Sequence, residues 1–192
     1  SGPLSPPARF DPKTGFTQLP RSEQDGWRAL AALWKLDAAG ADVCAAARRQ
    51  QLQCFRGSGN LALLRQLDRP ALLTLRDGTQ RPAYALLSGL AGADATLRIA
   101  DTERRSATVT LDEVWRGEFA TLWRAPPGYA ETIVDGSAGP AAEWVGEQLA
   151  QLPGAAASAA GLRPRVQAFQ SAHGLKADGL AGPVTLMQLN RA

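Results

Sequence analysis

The run RAPPGYAETIVDGSAGP, from Arg124 to Pro140, is the strongest constraint on how this chain can fold. It concentrates Pro126, Pro127, Gly128, Gly136, Gly139 and Pro140 in one stretch. Proline fixes φ and removes a backbone donor, and clustered Pro and Gly punctuate regular structure. A helix or strand that continued through this run would be broken, so the chain divides here. Its 192 residues allow one large domain or two small ones, at about 150 residues per domain. The expected division is a first domain over 21–128, a linker over 129–139 and a second domain over 140–192.

The opening segment, SGPLSPPARFDPKTGFTQLP, carries Pro3, Pro6, Pro7, Pro12 and Pro20 and has little periodicity. It reads as an extended linker over 1–20. It has no initiator Met and no signal-peptide charge or apolar core. The chain therefore reads as an excised piece, with any anchoring segment expected upstream.

Composition excludes several classes. A content of 45% hydrophobic and 20% charged residues is globular, not wholly disordered. Net charge is only +3, and the arginines are scattered, so nothing points to nucleic acid. No apolar run approaches the roughly 18 residues of a membrane-spanning helix. There is one histidine, His173, and two cysteines, Cys44 and Cys54. That leaves too few groups for most metal, cofactor or nucleophilic chemistry.

In the first domain Ser22 starts a helix, with Asp25 three residues on as a weak capping box. Trp27, Leu30, Leu33 and Trp34 then share a face at helical spacing. Asp42 caps a second helix through Gln51. Ser58 or Asn60 caps a third, with Leu61, Leu64 and Leu67 as its stripe and Pro70 following its end. The pattern then changes to short apolar segments over Ala71–Leu75, Ala83–Leu90, Ala95–Ala100 and Ser106–Thr110, separated by turn residues. Thr110 and Glu113 form a capping box for one helical turn that carries Val114 and Trp115. Glu118–Trp123 is a last strand. Helices followed by a meander predict an α+β domain, with helices packed on one face of an antiparallel sheet. The tryptophans Trp27, Trp34, Trp115 and Trp123 read as core.

Nine residues separate Cys44 from Cys54, with Cys44 expected in a helix and Cys54 in a loop. The spacing is not CxxC, and two sulfurs with one distant histidine do not make a tetrahedral zinc site. Two free thiols and one disulfide both remain open on spacing alone.

The most specific signal lies in the second domain. An amphipathic helix with Trp144, Val145, Leu149 and Leu152 is followed by AAASAAG, which reads as a flexible connector. Pro164 suits the first turn of a second helix, with Val166 and Phe169 inward. Gly174 reads as the residue just past its end, and His173 as a solvated helix-end residue near the dipole. Pro183 opens a third helix that ends with Met187 and Leu189. The stretch VQAFQSAHGLKADGLAGPVTLMQL resembles the peptidoglycan-binding type 1 family. It carries that family's Val166, Phe169-Gln170, Gly174-Leu175, Asp178-Gly179, Gly182-Pro183, Thr185 and Leu189, and Gln167 fits as well. The usual upstream Leu-Gln pair is absent. The resemblance implies a small three-helix domain that binds bacterial cell wall. Phe169 and Leu189 read as core, and the glycines and Pro183 as loop-shaping residues. The candidate peptidoglycan-binding residues are Arg165, Gln170, Asp178, Gly179 and Thr185.

With that module behind it, the first domain can be compared too. LRQLDRPALLTL, YALLSGLAGADATLRIAD and TLDEVWRGEFATLWRAP resemble the periplasmic region of the general secretion pathway A family of type II secretion. In that family a papain-like, C39 peptidase-like domain precedes a peptidoglycan-binding domain. An active C39 enzyme opens its first helix with Asp-Cys-Gly, where this chain has Asp25-Gly26-Trp27. The family's histidine strand reads Pro82-Ala83-Tyr84 here, and Asp101 could match the third residue. The resemblance thus implies a degenerate, non-catalytic peptidase fold in the periplasm. An oxidising compartment then favours a Cys44–Cys54 disulfide. The implied partners are peptidoglycan and the secretin or other type II secretion components. The implied parent has an upstream ATPase and one membrane span, and residues 140–192 are expected to suffice for wall binding. The competing reading is a wall or peptide hydrolase targeted by the module. A carboxylate mechanism for it would draw on Asp112, Glu113 and Glu118. In a third reading, the first domain only spaces the wall anchor from the membrane.

Overall fold

A computed structural model describes residues 7–40, 42–153 and 161–191. It divides at the breaker-rich run, into one unit ending at Trp123 and a second beginning at Arg124.

The first unit is built on six antiparallel strands in the order β1-β6-β2-β3-β4-β5. They are β1 Gln53–Ser58, β2 Ala71–Arg76, β3 Pro82–Ala91, β4 Asp94–Ile99, β5 Thr102–Ala107 and β6 Trp115–Trp123. The helices are α1 Glu23–Leu33, α2 Val43–Arg49, α3 Leu61–Leu67 and α4 Thr108–Val114. Ser22 caps α1 by accepting from the Asp25 amide, Asp42 caps α2 through Cys44 and Ala45, and Asn60 caps α3 through Leu63. These short polar side chains satisfy amides that the first helical turn leaves without partners.

Trp27, Leu30 and Ala31 of α1 and Val43 and Ala47 of α2 pack on Leu72, Leu86, Ala120 and Leu122 of the sheet. Alternation sends Leu73, Leu75, Ala85 and Leu97 to the opposite side, where they are also fully buried. The sheet is therefore covered on both faces, whereas the sequence pattern predicted helices on one. Of the four tryptophans expected in the core, Trp27, Trp115 and Trp123 are buried and Trp34 packs half-buried against it.

Three local expectations are corrected. Cys54 lies in strand β1, not in a loop. The polar, glycine-containing segment QCFRGS hides that strand, which is recruited by pairing with β6. The strand expected over Ser106–Thr110 runs Thr102–Ala107, because the tight Ala100–Asp101 turn returns the chain directly into pairing with β4. Helix α4 consequently starts at Thr108 after Ala107, and no side chain caps it. The expected linker is also shorter than 1–20. Phe10, Phe16 and Leu19 are buried, Phe16–Gln18 forms a 3-10 turn, and Ala8 and Phe10 hydrogen-bond to Arg105 of β5.

The second unit contains α5 Pro140–Ala150, α6 Leu162–Ala172 and α7 Pro183–Leu189. Val145, Leu149, Val166, Phe169, Leu186, Met187 and Leu189 form its buried interior. Its chain starts well before Pro140. Ile133 is buried and exchanges two backbone hydrogen bonds with Ala181, at 2.9 and 3.2 Å. Asp135 accepts from the Arg163 amide at 2.7 Å and so caps α6 from a distance. Residues 129–139 therefore act as structure in this unit and not as a free linker. The connector AAASAAG lies, apart from Gly161, outside the described residues. Pro164 sits at the third position of α6, within its first turn as expected.

Candidate functional site

The second unit's site is a loop between α6 and α7, held from below by one glutamine. Helix α6 ends in a Schellman arrangement. Gly174 takes φ 65°, its amide bonds Ser171, and the Leu175 amide reaches back to Gln170 at 2.8 Å. His173 closes the helix, with Nδ1 donating to the Phe169 carbonyl at 2.9 Å and its ring 4.2 Å from the Phe169 ring. The chain then turns through Lys176–Gly182.

Gln170 is 2% exposed and faces this loop from inside. Its Nε2 lies 3.0 Å from Asp178 Oδ1, 3.1 Å from the Leu180 carbonyl and 3.1 Å from Thr185 Oγ1. Its Oε1 accepts from the Gly179 amide at 2.9 Å. Gly179 takes φ +75°, and a Cβ there would meet Arg163 Cγ at 2.5 Å. Glycine is thus required on both backbone and steric grounds. Asp178 also accepts from the Leu180 amide at 3.0 Å. That amide holds its carboxyl below the usual carboxylate range against the opposing effect of burial, with smaller help from the Gln170 amide and Lys176.

The sequence candidates therefore separate. Gln170, Thr185 and Gly179 converge on one network but are buried in it, and they position the loop. Arg165 is elsewhere, donating to the Gly146 carbonyl at 2.8 Å and tying α6 to α5. Asp178 keeps an accessible edge, beside an exposed Lys176 side chain 3.9 Å away. Leu180, which sequence reasoning passed over, is an exposed large apolar side chain of the same loop. Its position between Gly179 and Gly182 in a turn was the available signal.

The first unit's counterpart is the junction of α1 and β3. Gly26 is buried in α1. A Cβ added there would meet the Leu72 methyls at 2.8 Å and Tyr84 Cβ at 3.2 Å. Gly26 of α1 and Tyr84 of β3 thus lie side by side. Burial, then the Glu23 carboxylate, pushes the Tyr84 phenol up, so it stays protonated. A groove of about 410 Å³ beside it is lined by Glu23, Arg56, Leu72, Thr74, Tyr84 and Glu118. Its charges are paired, Arg56 with Glu23 at 2.6 Å and Arg76 with Glu118 at 2.9 Å. Asp101 is an exposed residue of the β4–β5 turn at φ 60°. Of the other carboxylates, Glu113 pairs with Lys13, and Asp112 is exposed on α4. Cys44 and Cys54 form a disulfide, with Cα atoms 5.5 Å apart.

A family model described as "Putative peptidoglycan binding domain" matches residues 146–189. The general secretion pathway protein A of Aeromonas hydrophila is 34% identical over 153 residues, covering 77% of this chain and 28% of that protein. The chain is similar to general secretion pathway protein A. Among solved structures, a periplasmic domain of the EpsAB fusion protein of the Vibrio vulnificus type II secretion system matches at TM-score 0.54 and 26% identity. That match covers 94% of this chain and 82% of the other. A second similar structure is the N-terminal peptidase C39-like domain of a Vibrio parahaemolyticus toxin secretion ATP-binding protein. There the TM-score is 0.40 and the identity 14%, over 51% of this chain and 92% of that one. The chain spans about 28% of the length of the Aeromonas relative. Among the described residues, no helix is long and apolar enough to cross a membrane.

Proposed function

We propose that this chain is a non-catalytic periplasmic region of a type II secretion assembly protein, and that its second unit holds peptidoglycan. The observation that carries this reading is the Asp178–Gly179 loop, which matches the wall-binding family and is fixed on Gln170. A preorganised loop loses little entropy when a ligand binds. The contact surface is the accessible edge of Asp178 with Lys176 and Leu180. A carboxylate and an ammonium side by side suit the hydroxyls, amides and charged ends of a glycopeptide. Gln170, Thr185 and Gly179 position that surface, and Arg165 fixes the helix beneath it.

The first unit serves as a scaffold for partner recognition, with the secretin or another secretion component as the partner. Several features support a non-catalytic role. A cysteine peptidase needs a thiolate with a histidine in hydrogen-bond reach. Both sulfurs here are bonded to each other, and the one histidine belongs to the other unit. Gly26, which the resemblance matches to the nucleophile, packs against Leu72 and Tyr84.

Incubation with purified sacculi tests both halves of the proposal. The chain is expected to pellet with the sacculi and to release no muropeptides. Robust release would establish a hydrolase in its place, and failure to pellet would remove the wall-binding role.

A further inference from the structure

The two edges of the six-stranded sheet are treated differently. At the β5 edge, Phe10 donates to the Arg105 carbonyl at 2.8 Å and Arg105 donates back to the Ala8 carbonyl at 3.0 Å. That edge is closed by the chain's own N-terminal segment. The β1 edge has no such cover among the described residues.

The groups presented at this edge follow from the register. Ser58 pairs with Glu118, and one step on the Gly59 amide donates to the Gly117 carbonyl at 3.0 Å. In an antiparallel ladder, hydrogen-bonded pairs alternate with pairs that face outward. Gln53, Phe55 and Gly57 therefore bond inward to β6. Cys54, Arg56 and Ser58 turn their amides and carbonyls away from the sheet. A free edge of this kind is a template for another strand. Proteins block such edges with charged side chains, proline or a bulge; QCFRGS has no proline and no bulge, and its one charge, Arg56, is drawn onto Trp27 and Glu23. The Cys44–Cys54 bond anchors the start of the strand to α2.

Charge selects the occupant. From Val43 to Asn60 the chain has Arg48, Arg49 and Arg56 and no Asp or Glu. Arg48 and Arg49 are exposed in the last turn of α2 and make no ion pair among the described residues. The next residues lead straight into β1. On one face of the strand Arg56 lies over Trp27 and against Glu23. On the other, Phe55 is half-buried, its ring 5.7 Å from Phe119. A second copy of β1 would bring arginines against arginines, which opposes pairing.

We propose that β1 is a docking strand that captures an extended, acidic segment of a partner protein by adding it to the sheet edge. The segment alternates, with acidic side chains on the Arg56 face and apolar ones on the Phe55 face. This rests on the first unit being a non-catalytic recognition module and does not depend on wall binding.

A capped alternating Glu-Val octapeptide serves as the probe, with a Lys-Val octapeptide as its control, each added to the whole chain. The Glu-Val peptide is expected to slow amide exchange at Arg56 and Ser58 at least tenfold and to leave Gly57, already bonded inward, unchanged. The Lys-Val peptide is expected to have no effect. Ser58→Pro removes an outward donor without touching the β6 ladder, and it should weaken binding at least tenfold. The double substitution Arg48→Glu and Arg49→Glu should do the same on a part of the surface outside the sheet. Unchanged exchange at Arg56 and Ser58, equal binding of both peptides, or protection that arises from self-association of the chain would each overturn the docking proposal. Cleavage of the bound peptide would instead overturn the non-catalytic reading.

Discussion

At the scale of single residues, Gln170 shows how a family motif can mislead about role. Its identity was legible in the sequence, and it invited a place at the ligand. The structure buries it under the loop with all its polar atoms engaged. Gln170→Leu strips the partners from the Gly179 amide, Asp178 and Thr185. A buried polar group left without a partner costs about 1–3 kcal/mol, so denaturant unfolding of the second unit should shift by that amount. Asp178 gives a pH test. Its carboxyl titrates below its unfolded value, so the ionised form stabilises the loop. That contribution is full above the unfolded aspartate range and is lost as pH falls through the lowered folded value. The protection of the Leu180 amide, its exchange rate relative to the intrinsic rate at each pH, should therefore fall at acid pH in the native chain. Asp178→Asn should show an already-lowered protection that does not change with pH.

At the scale of elements, the sequence was read well wherever a periodic stripe met a cap. Helices α1, α2 and α3 begin where Ser22, Asp42 and Asn60 were expected to start them. It was read poorly where an element is made by its neighbours. Strand β1 carries no alternating pattern, because its edge position leaves Arg56 and Ser58 exposed and only pairing with β6 makes it a strand. Ile133 and Asp135 were hidden in the same way. They lie in a breaker-rich run, yet they close the second unit through Ala181 and Arg163. A fragment of residues 124–192 should therefore melt at a higher temperature than one of residues 140–192, which lacks both. Equal melting temperatures would show that the upstream segment adds nothing. The Cys44–Cys54 bond joins α2 to β1 across 10 residues. In the chain-entropy picture, closing so short a loop contributes about 2–3 kcal/mol. Replacing both cysteines with serine should reduce the stability of the first unit by that amount, and added reductant should then have no further effect.

At the scale of the whole molecule, the fold class and the division at the Pro/Gly run followed from pattern and breakers. The proposed non-catalytic reading rests on scarcity, with one histidine and two cysteines in the chain. The two sulfurs hold each other, and Gly26 packs closely against Leu72 and Tyr84. The same scaffold leaves one sheet edge open beside an arginine-rich stretch, a feature that neither composition nor motif announces. The account is tested most directly by sedimentation with purified sacculi, comparing the native chain with a Lys176→Ala, Asp178→Ala, Leu180→Ala triple variant. The native chain is predicted to pellet, and the variant, folded by circular dichroism, to remain in the supernatant at least tenfold more. Equal pelleting of the two would contradict the assignment of the loop as the wall-binding surface.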